Sequence, residues 1–252
     1  MPEAAVSVMA AFDNQPGLAL GNSVGSIICN AALILGLAAV IRPLPLDRKN
    51  VPRQAWIQLG CAFLLVASCF PWTSPLAVFE DGGRLPQILG VLFVFLLGMY
   101  LWFSVLWARS QRGGTDDVEH EGEGSRENVG WLIVQIILAL AVVCVSARVL
   151  IPAVESLAEK MGIPQSIVSA TLVAFGTSLP ELVTASLRGH GDLAVGNVVG
   201  ANILNVLFVA GAAAAVTPEG LEAEPHFLYF LFPTMLAILA ILLTGLAVGK
   251  TE

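Results

Sequence analysis

Charge is what this sequence has least of. Only 12% of its 252 residues are Asp, Glu, Lys or Arg, against 56% hydrophobic, whereas a soluble domain carries about 25% charged residues. The few charges cluster between long apolar runs, which excludes an ordinary water-soluble globule. Cysteine is scarce as well. Cys29, Cys61, Cys69 and Cys144 all fall inside apolar runs, which argues against a disulfide framework and leaves them as small buried apolar residues. No basic stretch precedes an apolar run at the start, so no cleavable signal peptide is expected. The histidines, His120, His190 and His226, lie in loops or at interfaces and form no metal cluster. No aspartate stands at a span centre, so the paired catalytic aspartates of an intramembrane protease are missing and the chain does not read as an enzyme.

What the chain does have is apolar length. Measured against about 20 apolar residues per crossing, seven full spans are expected near 18–41, 55–71, 86–108, 129–152, 163–188, 193–216 and 226–248, with a partial one opening the chain. The predicted fold class is all-α, a polytopic transmembrane bundle. Basic residues set its orientation. Alternate loops hold Arg42, Arg48, Lys49 and Arg53, then Arg109, Arg112 and Arg126, then Arg188 and finally Lys250; the others hold only Arg84 and Lys160. The first set is therefore cytoplasmic. Arg148, near the outer end of its span, is expected to snorkel to the interface. The stretch Gly113 to Glu127 carries six carboxylates and one arginine and reads as a solvated linker.

An internal repeat organises the chain. Residues 18–40 (LALGNSVGSIICNAALILGLAAV) and 193–215 (LAVGNVVGANILNVLFVAGAAAA) are identical at 11 of 23 ungapped positions. The matches include Gly21/Gly196, Asn22/Asn197, Gly25/Gly200, Asn30/Asn205 and Gly36/Gly211, and upstream Pro2-Glu3 pairs with Pro180-Glu181. An odd number of spans separates the copies, so they cross the bilayer in opposite senses. Inverted repeats with a binding site at their interface are a common construction of secondary transporters. The expected division is 1–108 as the first repeat unit (ion-binding helices within 1–41), 109–128 as an acidic cytoplasmic linker, and 129–252 as the second unit (ion-binding helices within 163–216).

Glu3 and Glu181 are the carboxylates that lie deep in apolar sequence. A charge at the bilayer centre costs at least ~2.5–3.5 kcal/mol and marks a functional candidate. In Gly176-Thr177-Ser178-Leu179-Pro180-Glu181 the proline lacks an N–H and clashes with the carbonyl of Gly176, so a loosened turn at Gly176 and Thr177 is expected to offer carbonyl oxygens beside Ser178 and Glu181. The partner helices add Asn22, Ser26 and Asn30 on one face, and Asn197, Ala201 and Asn205 in the second copy. Gly21/Gly25 and Gly196/Gly200 are small-xxx-small pairs that permit close helix approach. Hard oxygen ligands of this kind suit Ca²⁺ or Na⁺, not zinc or copper.

GTSLPEL followed by LAVGNVVGANILN resembles the second alpha-repeat of the sodium/calcium exchanger superfamily of Ca²⁺/cation antiporters, and MPEAAVSVMAA followed by LALGNSVGSIICN resembles the first. The resemblance implies a secondary active transporter that exchanges Ca²⁺ or a related cation for Na⁺ or H⁺ by alternating access. Carried over by position, it implies that Glu3, Ser26, Asn30, Thr177, Ser178, Glu181 and Asn205 hold the ions. It implies no resident cofactor and no nucleic-acid partner. The partners are inorganic cations and the bilayer, and the expected location is a bacterial inner (plasma) membrane. Against the family's pattern the chain opens inside the first signature and stops one span early, so truncation at both ends is expected. Glu3 to Gly21 spans 18 residues where Glu181 to Gly196 spans 15, and Ala201 and Asn205 stand where Ser and Asp occur in relatives. An inactive fragment or a non-transporting membrane protein of the same fold is the competing reading.

Overall fold

The structure is a computed structural model that describes residues 2–41, 51–72, 78–111, 129–179, 181–182 and 191–248. It is a helical bundle. Helix α1 (Pro2–Phe12) ends where Asn14 takes a left-handed backbone, φ 57°. There Gln15 N–H donates to the Ala10 carbonyl at 2.8 Å, a six-to-one closure that stops a helix by satisfying its last carbonyls. Pro16, fixed in φ and without an N–H, then starts α2 (Pro16–Ile28), which runs on through a wider π-helical turn (Cys29–Ile34) into Leu35–Ile41. Helices α3 (Val51–Cys69), the short α4 (Val78–Asp81), α5 (Gln87–Gln111) and α6 (Val129–Met161) follow. Gly162, φ 64°, closes α6 in the same manner, with Ile163 N–H on the Ala158 carbonyl at 3.1 Å.

Helix α7 comprises Gln165–Val168, a π-helical turn Ser169–Val173 and Ala174–Thr177. Helix α8 repeats the build of α2: Gly191–Leu204, a π-helical turn Asn205–Ala210, then Gly211–Val216. Helix α9 is Phe227–Leu231 running into Phe232–Val248. The all-α expectation misses one detail, a two-stranded antiparallel ribbon of β1 (Gly83–Leu85) and β2 (Leu221–Ala223), with Arg84 opposite Glu222. Gly82 and Gly220 flank it at φ 73° and 78°. A Cβ at either would stand 2.3 or 2.2 Å from a ribbon carbonyl, which is why glycine occupies both places.

Five stretches are long and apolar enough to cross a membrane: Pro16–Val40, Gln87–Trp107, Gly130–Met161, Val195–Val216 and Phe227–Leu246. The expected spans at 55–71 and 163–188 fall outside these five. The first is helix α3, whose Arg53, Gln54 and Gln58 lower its hydropathy. The second is described as helix over Gln165–Thr177 and again at residues 179 and 181–182; residues 180 and 183–190 lie outside the described set, as does the linker from residue 112 to 128. Large apolar side chains cover the outside of α5 and α6, among them Phe95, Trp102, Phe103, Trp131, Leu138 and Val149, as a lipid-facing surface requires. The cysteines are all free, but only Cys69 is fully buried.

The centre is built from α2 and α8, crossed by α1 and α7. Gly21 and Gly25 let α2 touch the backbone of α7: a Cβ there would stand 2.5 Å from the Ser166 carbonyl and 2.2 Å from that of Ala170. The matched pair Gly196 and Gly200 has no described atom within 4 Å of the equivalent positions. The loops assigned to the outer side come together. Gln15 Nε2 donates to Glu155 Oε1 at 2.8 Å, and the two ribbon strands derive from the third and seventh expected connections. At the other end, Arg53 lies over the Trp107 ring at 3.5 Å from its centroid, a cation–π contact.

Candidate cation site

The two repeats place their asparagines at the same structural irregularity. Asn30 is the second residue of the π-helical turn Cys29–Ile34, and Asn205 is the first residue of Asn205–Ala210. Such turns are rare inside helices and recur at functional sites because they free carbonyls from the regular ladder. The Asn205 carbonyl accepts a 2.7 Å bond from Ser23 Oγ, and Asn30 Nδ2 donates to Asn202 Oδ1 at 3.0 Å. Both bonds cross between repeats, 182 and 172 residues apart in sequence.

Asn22 joins the remaining elements. Its Nδ2 donates to the Glu3 carbonyl at 3.1 Å and to Ser7 Oγ at 3.0 Å. Its Oδ1 accepts from Thr177 Oγ1 at 3.4 Å, so a single amide holds α1 against the end of α7. Helix α7 stops at Thr177, and Ser178 takes φ −89°, ψ 0°. The break ahead of Pro180 therefore falls one residue beyond the expected Gly176–Thr177 turn. The interruption is one residue long: Leu179 is helical again, and Leu182 N–H donates to the Ser178 carbonyl at 3.2 Å. Ser178 lies beside Cys29, and Glu181 is close enough to act electrostatically on Glu3.

Glu3, Ser26, Asn30, Thr177, Ser178 and Asn205 are all buried, and Glu181 is half-buried. Ser26 Oγ, Asn30 Oδ1, Ser178 Oγ, Asn202 Nδ2 and Asn205 Nδ2 have no hydrogen-bond partner among the described residues. A buried polar atom left unpaired costs about 1–3 kcal/mol, and a cation can relieve the three oxygens, Ser26 Oγ, Asn30 Oδ1 and Ser178 Oγ, whereas the two amide N–H groups need an acceptor. A half-turn of the Asn205 amide presents its oxygen where the nitrogen now stands.

The asparagine face expected in the second copy is corrected. Asn197 is exposed, and the buried residues are Asn202 and Asn205. The cause is packing: the Asn22 side of α2 is covered by α1 and α7, whereas no described atom lies within 4 Å of a Cβ built at Gly196 or Gly200, beside Asn197. Asn202, Ser23 and Ser7 are the contributors the sequence reading missed. Asn202 precedes Asn205 by three and Ser7 follows Glu3 by four, both same-face spacings on a helix, so a signal was present for these two.

The family described as sodium/calcium exchanger protein matches residues 1–106 and 131–251. The inner membrane protein YrbG of Escherichia coli is 35% identical over 229 residues, 88% of this chain and 67% of that protein. The sodium/calcium exchanger MaX1 of Methanosarcina acetivorans is 30% identical over 278 residues, 99% of this chain and 78% of its own length. A structure of the sodium-calcium exchanger NCX_Mj, soaked with Na⁺ and Sr²⁺, superposes with TM-score 0.60 at 27% identity, covering 100% of this chain and 82% of that one. This chain thus spans about two thirds of the length of YrbG. It is an integral, multi-pass membrane protein, and it belongs to the sodium/calcium exchanger family.

Proposed function

We propose that the protein is a secondary active transporter that exchanges Ca²⁺, or a related divalent cation, for Na⁺ or H⁺ by alternating access. The observation that carries this reading is the meeting of Glu3 and Glu181, one from each repeat, within a buried set of oxygen-bearing side chains short of partners. Two carboxylates close together in a low-dielectric setting repel when both are ionised and empty. Calcium, several sodium ions or protons each remove that penalty. A loaded site can then reorient and an empty one resists, which couples the two fluxes instead of allowing leak. The residues proposed to hold the ions are Glu3, Ser26, Asn30, Thr177, Ser178, Glu181 and Asn205, with Asn22 and Asn202 fixing their neighbours' amides and hydroxyls.

The units proposed are 1–108 and 129–252, joined by the linker 109–128. The test is Ca²⁺ uptake into proteoliposomes against an imposed Na⁺ or H⁺ gradient, for the wild-type chain and Glu181→Gln. Gradient-dependent uptake in the wild type and at least a tenfold loss in the variant, with equal reconstituted protein, is the expected result. Uptake unaffected by Glu181→Gln removes that residue from the ligand set, and uptake indifferent to both gradients overturns exchange.

A further inference from the structure

At the outer end, away from the proposed cation site, three polar side chains from different elements close on one another. Ser166 belongs to the first turn of α7, Glu224 follows β2, and His226 directly precedes α9. Ser166 Oγ donates to Glu224 Oε1 at 2.9 Å and lies 2.9 Å from His226 Nε2. His226 Nδ1 stands 3.5 Å from Glu224 Oε2. Ser166 is fully buried and His226 is 8% exposed. The start of α2 also crowds the cluster, because a Cβ at Gly17 would stand 2.8 Å from Glu224 Oε1.

Ser166 has one hydroxyl proton for two neighbours, Glu224 Oε1 and His226 Nε2, and the ring tautomer decides which of the pair Ser166–His226 donates. The neutral ring has one bare nitrogen in either tautomer, and its Nδ1 faces a Glu224 carboxylate oxygen at 3.5 Å. We propose that Ser166, Glu224 and His226 form an outer proton-binding site that clamps α7 to the ribbon when empty and releases it when a proton from the outside solution lodges on the bare nitrogen of His226. The clamped residue begins the half-helix that ends at Thr177 and Ser178, so release acts on the element that carries two proposed cation ligands.

Linkage gives the sign. Burial holds His226 below the usual imidazole range, and the Glu224 carboxylate partly pulls it back up. The clamped state therefore binds a proton less well than an exposed imidazole does, and acid favours the arrangement that exposes the ring. The other charges on the elements around it are Asp13 ahead of α2, Glu80 and Asp81 of α4, Arg84 of β1 opposite Glu222, Glu219 ahead of β2, and Glu155, Glu159 and Lys160 of α6, of which Glu155 is engaged by Gln15. Helices α2 and α7 bring no ionisable acid or base to this end.

Two readouts test the site in the intact chain in nanodiscs, neither depending on ion exchange. The first is a pH titration of labelled histidine by NMR, with His226→Asn assigning the signal. His226 should titrate below a free imidazole, and Glu224→Gln should lower its midpoint by about one further pH unit. The second is the distance between spin labels at Pro164 and Glu222, both exposed, in a background without the native cysteines. It should widen in acid with the midpoint of His226, and His226→Asn, which cannot take up the charge, should abolish the response. Gly17→Ala, which displaces the Glu224 carboxylate and leaves every titrating group in place, should move the same midpoint. A His226 midpoint that matches free imidazole and ignores Glu224→Gln overturns the site. So does a label distance that widens equally in His226→Asn.

Discussion

At the residue scale, Asn202 is the informative case. It accepts from Asn30 Nδ2 and so turns the Asn30 carbonyl oxygen, which has no partner among the described residues, toward the proposed ions. Asn202→Ala removes the acceptor and lets the Asn30 amide rotate. The expected outcome is a Ca²⁺ affinity about tenfold weaker, the equivalent of 1.4 kcal/mol, with little change in folding; binding calorimetry on the purified chain checks it. Asn202→Asp keeps an acceptor at the same length and should restore most of the loss. An affinity that Asn202→Ala does not alter would leave Asn30 oriented by something else. Asn202 was readable as a same-face neighbour of Asn205, but the pattern match to the first repeat drew attention to Asn197 instead. Sequence pairing gives equivalence of position and not equivalence of surroundings, and Asn197 is exposed because its helix face has no described neighbour within reach of Gly196 and Gly200.

The element scale turns on how α2 meets α7. Backbone carbonyls of Ser166 and Ala170 sit where the β-carbons of residues 21 and 25 would stand, so neither position accepts a side chain without parting the helices. Gly25→Ala should destabilise the protein by about 1–3 kcal/mol, the cost of overpacking a close interface, and should weaken cation binding by moving Thr177. Gly200→Ala, with open space among the described residues, should be close to neutral. Thermal unfolding in detergent distinguishes the two, and equal effects would mean the glycine pairs do not differ as their packing says. The helices themselves were legible, since apolar length lies in the chain. The π-helical turns were not, because a widened turn depends on which carbonyls find partners across the interface, as that of Asn205 does in Ser23. The ribbon of β1 and β2 escaped too, its strands being three residues long and 138 positions apart at Gly83 and Leu221.

For the whole molecule, the converging 13–15, 82–86, 155–166 and 217–226 segments occupy the side that basic residues assign to the outside. A cysteine replacing exposed Glu222, in a background lacking the four native cysteines, should react with an impermeant thiol reagent from outside, and one at Gly122 only after permeabilisation. The reverse labelling would invert the orientation. The proposed site also makes a quantitative claim: the two half-sites form one place, with Asn30 bonded to Asn202 across the repeats. The direct measurement is the number of Ca²⁺ ions bound per chain, by equilibrium binding, in wild type, Glu3→Gln and Glu181→Gln. A shared site predicts that either substitution alone removes high-affinity binding entirely. Two independent half-sites would leave each variant with half the wild-type number, and that result would contradict a common site.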